Sequence, residues 1–247
     1  NSFGVYCHAA DDLKAKHLYE QFGEAIPYVD YDIFGTVTGR MTTKRGSFPA
    51  LNLKRELKKH VRPNNDVFLE LDFNAAEIRT MLALQGHEQP EEDIHEWNIK
   101  EVFKKDLSRD EAKTKIFAWL YNQESQAIKS DYYDREILLE KYFKEGVVET
   151  PFGRSIAAPV RKALNYLLQS SSSDNTLERF IRVSNFLRAT SSHVAFVVHD
   201  SVVIDLHRDD RRLIPTLKEM FGDTKLGRFK VNCSLGKNLG DMKEFTW

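Results

Sequence analysis

Residues 67 to 79 read Val-Phe-Leu-Glu-Leu-Asp-Phe-Asn-Ala-Ala-Glu-Ile-Arg. An apolar, strand-like run ends on a carboxylate, Asp72, and a second carboxylate, Glu77, follows at the start of a helical pattern. A strand fixes its terminal carboxylate and the turn after it exposes the oxygens, so half of a divalent-metal site can be built this way. Taken alone, the same pattern describes a solvated strand end or a helix cap. What separates these readings lies elsewhere in the chain.

At 247 residues and 28.6 kDa the chain can form a sizeable core and one or two domains, and 41% hydrophobic with 30% charged residues is an ordinary globular composition. No apolar run approaches the ~20 residues needed to cross a bilayer, and the N-terminus lacks a secretory pattern, so neither membrane association nor secretion is expected. Two cysteines, Cys7 and Cys233, make no disulfide framework. Free thiols in a reducing compartment are expected. Asn1 is no natural translation start, so a piece of a longer polypeptide is expected. The net charge of −1 excludes a uniformly basic nucleic-acid coat but leaves room for a local patch. From Arg40 to Arg62, Lys44, Arg45, Lys54, Arg55, Lys58 and Lys59 add to the two arginines against one acid, Glu56, a cluster suited to phosphates.

Residues 10–23 read as a short helix closed by Gly23, 28–38 as strand leading to Gly39, 66–73 as strand and 75–85 as helix. Residues 86–96 are polar and acidic. Ser108 and Glu111 form a capping box that opens a helix to about Tyr121, and 126–146 reads as one further helix ended by Gly146. A strand-turn-strand unit follows around Val147 to Ile156. Residues 160–190 are helical by period apart from Ser170 to Ser173, a run expected to be a helix start or a loop. His193 to Leu206 gives two apolar arms around His199-Asp200-Ser201, a hairpin with an acid at its tip; a helix (209–221) and a strand (228–235) end the chain.

Antiparallel packing of the strand ending in Asp72 against the hairpin carrying Asp200 would bring two carboxylates to one sheet edge. Their repulsion is relieved by a divalent cation. Between them in sequence, Arg109, Lys113, Phe117 and Tyr121 recur every four residues. At ~100° per residue each step drifts only ~40°, so they line one broad helix face, two cations suited to phosphate and two aromatics suited to a base or sugar. Metals on one wall and phosphate ligands on the other describe nucleotidyl transfer.

These segments resemble, from about residue 28 onward, the polymerase domain of family A DNA polymerases, the group of bacterial DNA polymerase I. Motif A appears as Asp72-Phe73-Asn74-Ala75-Ala76-Glu77-Ile78-Arg79, motif B as Arg109-x3-Lys113-x3-Phe117-x3-Tyr121 and motif C as Val198-His199-Asp200-Ser201. Thr38-Gly39-Arg40, Asp93-Ile94-His95, Thr150-Pro151-Phe152-Gly153-Arg154 and Arg161-x3-Asn165-x3-Gln169 are secondary matches, all in the family's order.

The resemblance implies an α+β fold, a palm of antiparallel sheet flanked by helices, with reduced helical fingers and the thumb largely absent. Residues 1–27 would be a thumb-base or entry helix, 28–95 and 147–247 the two parts of the palm, and 96–146 the fingers. It implies template-directed DNA synthesis from dNTPs on a primer-template. Asp72, Asp200 and the Phe73 carbonyl would hold two Mg²⁺ ions, with Mn²⁺ as a possible substitute. Arg109, Lys113 and His95 would grip the triphosphate, with Lys113 donating a proton to pyrophosphate. Phe117 would pack on sugar and base, Tyr121 would lie beside the templating position, and Glu77 would exclude a 2′-hydroxyl. Arg40, Asn165, Gln169 and His199 would touch primer-template DNA near its end, with Arg161 close by.

The pattern is broken in places. The family's motif C usually reads His-Asp-Glu; Ser201 stands for the Glu, and its hydroxyl could orient metal-bound water. Ala118 and Asn122 replace usual glycines of motif B. The stretch from Tyr121 to Thr150 is short for the family, and neither a thumb nor an exonuclease cluster is recognisable, so those parts, or a processivity factor, would be supplied from elsewhere. Two alternatives remain: a phage-type single-subunit RNA polymerase, which often carries His-Asp-Ser at motif C, and a catalytically inactive polymerase-like scaffold of a replisome.

Overall fold

The computed structural model describes residues 3–5, 20–21, 25–26, 29–122, 125, 128 and 130–245. The helix expected over 10–23 lies outside them but for positions 20 and 21, as does Cys7. The architecture is α+β. Five strands, β1 (Val67–Phe73), β2 (His193–Val198), β3 (Ser201–Leu206), β4 (Val231–Gly236) and β5 (Lys243–Phe245), form one sheet in the order β2-β3-β1-β4-β5, antiparallel at every pairing. Among the described residues the helices that matter for the site are α1 (Ala76–Leu84), α2 (Ile94–Asn98), α3 (Arg109–Tyr121), α4 (Arg135–Tyr142), α5 (Val160–Leu187) and α6 (Ile214–Gly222).

The two-residue alternation of β1 explains its central place. Leu69, Leu71 and Phe73 point into a core made with Val183 and Leu187 of α5 and Leu217 and Phe221 of α6. Phe73 stacks on Phe221 at 4.4 Å between ring centroids and meets Phe229 edge-on at 5.4 Å. On the opposite face Phe68 packs with Phe196, Phe48, Leu53, Leu57 and Val61, so the basic segment rides on a greasy underside while Lys54, Arg55, Lys59 and Arg62 stay exposed. A separate core, around Ile78, Met81 and Leu82 of α1, Ile116, Trp119 and Leu120 of α3, and Leu164 and Leu167 of α5, holds the helical part to the sheet.

Several expectations are corrected. The strand over 28–38 shrinks to Tyr31–Asp32, paired with Thr42–Thr43, because Asp32 accepts the Phe34 amide and turns the chain. Among the described residues of 126–146, helix is confined to Arg135–Tyr142. Asp134 caps its start through the Glu136 and Ile137 amides, and Phe143–Lys144 leaves as a strand, turning at Glu145 and Gly146 (φ 51° and 80°) into a meander with Val147–Glu149 and Ser155–Ala157. A 3₁₀ segment (Arg208–Leu213) precedes α6, which begins at its Pro215 turn, and the last expected strand starts at Val231.

The serine run is neither loop nor helix start: it is the buried middle of the 28-residue α5. Small side chains let this helix pass close to two turns. Ser172 donates to Asp200 at 3.3 Å and Ser173 to the Gly39 carbonyl at 3.1 Å. Ser170 and Ser171 are fully buried and their hydroxyls have no partner. Replacing both by Ala is therefore expected to raise stability by about 1 kcal/mol, since a buried unpaired hydroxyl is removed and helix propensity improves. Ser171→Leu should instead cost about 1–3 kcal/mol by overpacking. Urea unfolding of the three proteins measures both.

Candidate active site

The register between β1 and β3 sets the site. Ser201 lies directly opposite Asp72, and the Phe73 amide donates to the Asp200 carbonyl at 3.4 Å, so the two aspartates occupy adjoining positions at one sheet end. The hairpin tip reaches there through a two-residue turn at His199 and Asp200, with His199 left-handed at φ 52°. After Phe73 the chain reverses through Ala75, also left-handed at φ 52°, and enters α1. Arg79, fully buried, secures that reversal: it donates to the Asn74 carbonyl, the Asn74 amide oxygen, and the Pro90 and Glu92 carbonyls.

Both aspartates are raised from the ordinary carboxylate range. Burial and the charges of Glu70, Asp200 and Glu244 push Asp72 up to about 7. Burial raises Asp200, opposed by Arg40 and by the Ser172 hydroxyl. Two partly buried carboxylates, both raised by burial and one of them also by the charge of the other, form with the backbone carbonyl of Phe73 a hard-oxygen donor set that fits a divalent cation. Among the described residues no three His, Cys, Asp or Glu side chains converge as a ready ligand cluster.

Glu77, 6% exposed, sits next to this pair. Burial raises its carboxyl, and two donors hold it: Arg40 at 2.5 Å and the Tyr121 hydroxyl. The expected face of α3 forms as the four-residue spacing requires. Ile116, Trp119 and Leu120 turn inward, while Arg109, Lys113 and Tyr121 are exposed. Phe117 stacks on Tyr121 (6.0 Å, 12°), and His95 lies 6.1 Å from Phe117. The Ser108–Glu111 capping box opens this helix, with both reciprocal bonds made.

His95 is 2% exposed and its Nδ1 has no partner. Burial, with the Arg109 and Lys113 charges, lowers it to about 4 against the pull of Asp93, so the imidazole is neutral at pH 7. Arg109 bonds Asp93 at 2.8 Å. Despite its burial, Asp93 is held below the usual carboxylate range by Arg109, Asn74 and the His95 and Glu96 amides it caps. Arg161, Asn165 and Gln169 follow one another along a single exposed-to-intermediate face of α5, on the N-terminal side of Ser172, and His199 is exposed at the hairpin tip.

Sequence reasoning passed over Glu70, Ser172 and Arg79. Glu70 was accessible, since it stands two residues from Asp72 and so shares its face. Ser172 carried no signal within a run read as loop, and Arg79 looked like a motif letter. Ser201 is 2% exposed, and its Oγ lies 3.0 Å from both the Glu70 carboxylate and the Val198 carbonyl, so its hydroxyl is engaged inside the protein. Cys233 is a buried free thiol. No helix of the described residues is long and apolar enough to cross a membrane.

No protein-family model matches the chain. It is 23% identical over 320 aligned residues to the DNA polymerase of Bacillus phage SP01, a match that covers 94% of this chain and 35% of the phage protein. Among solved structures it is similar to the POL domain of Pol1 from M. smegmatis in complex with DNA primer-template and dNTP, with a TM-score of 0.72, 15% identity, and coverage of 93% of this chain and 51% of that one. The chain thus spans about a third of the curated relative's length and about half of the solved one.

A carboxyl raised in the folded state binds its proton more tightly there than when unfolded. Stability is therefore full below the unfolded value near 4 and falls as pH rises through about 7. Without divalent cations, Asp72→Asn is expected to be more stable than the wild type at pH 7.5, by up to about 4 kcal/mol, with the gap closing toward pH 4. Thermal unfolding across pH in chelator measures it.

Proposed function

We propose that this chain, which has the fold of a family A polymerase domain, carries out template-directed DNA synthesis. In that reaction a dNMP passes from a dNTP to a primer 3′-hydroxyl and pyrophosphate leaves. The observation that carries the reading is the meeting of Asp72 and Asp200 beside the Arg109–Lys113–Phe117–Tyr121 face of α3. On this reading residues 28–95 and 147–247 are palm, 96–146 are reduced fingers, and primer-template DNA and dNTPs are the partners.

Asp72, Asp200 and the Phe73 carbonyl would hold Mg²⁺, or Mn²⁺ in its place. Two such ions, held by these oxygens, would supply Lewis-acid activation of the primer hydroxyl and charge neutralisation for the triphosphate and the leaving pyrophosphate. Arg109 and Lys113 grip phosphate oxygens, and Lys113, exposed and cationic, gives a proton to the departing pyrophosphate oxygen. Neutral His95 offers a ring N–H to the same phosphates. Phe117 covers the sugar and base, and Tyr121 stacks beside it next to the templating position. Glu77, fixed by Arg40 and Tyr121, fills the space a 2′-hydroxyl needs. Arg40, Asn165, Gln169 and His199 face the primer-template end, with Arg161 nearby; the exposed cations of 44–62 extend a phosphate-binding surface.

Ser201 favours a single-subunit RNA polymerase, which often carries Ser there. The doubly held Glu77 supports deoxyribose selection instead, and the retained carboxylates and motif B cations argue against an inactive scaffold. Primer extension by the natural gene product with dNTPs, compared with Asp200→Ala, is expected to show at least a thousandfold loss in the variant; equal rates would leave only the scaffold reading. Glu77→Ala is expected to raise ribonucleotide incorporation relative to deoxyribonucleotide at least tenfold, and unchanged discrimination would remove the gate from Glu77.

A further inference from the structure

Residue 201 is where the resemblance leads one to expect a glutamate, and a serine stands there. The strand register shows what replaces it. Ser201 is opposite Asp72 and Val203 is opposite Glu70 across the β1–β3 ladder. Directly opposed residues share a sheet face, as do residues two apart on one strand, so Glu70, Asp72 and Ser201 all project on the same side. A glutamate at 201 would send its carboxylate into the space that serine leaves. Glu70, diagonal to 201, reaches that position: its Oε1 is 3.0 Å from Ser201 Oγ.

We propose that Glu70 is a positioning residue of the active site, supplying from β1 the auxiliary carboxylate that motif C lacks at Ser201. The inference rests on the reading of Asp72 and Asp200 as the divalent-cation ligands. Glu70 lies outside their donor set, since no three acidic or imidazole side chains converge among the described residues. It acts from behind Asp72, adding negative charge on the cation side and an acceptor for cation-bound water. Ser201 keeps it there: its one hydroxyl hydrogen lies between the Glu70 carboxylate and the Val198 carbonyl, each 3.0 Å from Oγ, and this shared hydrogen bond orients the carboxylate against the hairpin tip. The two positions are complementary, because a glutamate at 201 beside Glu70 would crowd two like charges into one space, whereas the serine and the glutamate make a hydrogen-bonded pair.

Direct Mn²⁺ titration, read by the electron paramagnetic resonance of free Mn²⁺ in the absence of nucleotide and DNA, tests this without relying on catalysis. Asp200→Ala is expected to abolish the tight binding. Glu70→Gln, which keeps the volume and an acceptor for Ser201, is expected to weaken it about tenfold, the effect of removing an outer-shell carboxylate. The exchange variant Glu70→Ala/Ser201→Glu is expected to bind Mn²⁺ within about twofold of the wild type. Should Glu70→Gln fail to fold, comparison of Glu70→Ala with the exchange variant reads the same quantity. Unchanged affinity in Glu70→Gln while Asp200→Ala binds nothing overturns the role of Glu70 alone. An exchange variant no tighter than Glu70→Ala overturns it too. Unchanged affinity in Asp200→Ala overturns the underlying reading of the site.

Discussion

Two aspartates from distant parts of the chain are held together by the pairing of β1 with β3, and their mutual repulsion is the constraint around which the neighbouring residues are arranged. Burial costs both carboxylates free energy and like charge adds to that cost at Asp72, so both carboxyls are displaced upward. The fold tolerates that cost because the opposite face of the same strand carries Leu69, Leu71 and Phe73 into a dense aromatic and aliphatic core. The polar end is partly compensated by Arg40 and Ser172. What compensation remains wanting is what a divalent cation would supply.

The surrounding contacts divide between the two ends of α3. Glu77 is tied to the loop at Arg40 and to the last residue of α3, so one carboxylate joins three segments. At the other end of α3, Arg109 is joined through Asp93 and Asn74 to the turn that follows Asp72. The helix α3 is thus moored at both ends to the segment carrying the first aspartate. Thr38-Gly39-Arg40 is seated by α5: Ser173 donates to the Gly39 carbonyl, and the Arg154 guanidinium, paired with Asp174 at 2.5 Å, stands where a side chain at 39 would go. Glycine at φ 75° is the residue that fits.

Much of this was legible in residue order because it rests on local periodicity. Alternation in 67–73, the four-residue repeat of 109–121, the capping box at Ser108 and the apolar arms about Asp200 each have one dominant structural solution. The illegible parts depend on neighbours distant in sequence. Nothing within Ser170 to Ser173 says that the helix passes close to two turns; read alone, small polar residues mean a loop. The strand expected near 28–38 was lost to a side chain-to-backbone bond at Asp32, and the long helix expected over 126–146 to an Asp134 cap and a β-hairpin. At the site, residue types and spacing pointed to Asp72 and Asp200; the bonds around them, such as Ser201 to Glu70, needed the strand register.

The order of strands has a consequence for how the protein is made. β1 sits in the middle of the sheet, yet both strands that flank it are far later in the chain: Ser201 is 131 residues beyond Glu70, and β4 comes later still. At about 5–20 residues per second, ribosomal synthesis leaves Val67–Phe73 with neither edge covered for roughly 7–26 seconds. Seven residues of which five are apolar (Val67, Phe68, Leu69, Leu71 and Phe73), waiting with two open edges, are a hazard for pairing between nascent chains. Glu70 and Asp72 lie within that segment, and their charge on the emerging polypeptide discourages such pairing well before either acid meets its neighbours in the folded sheet.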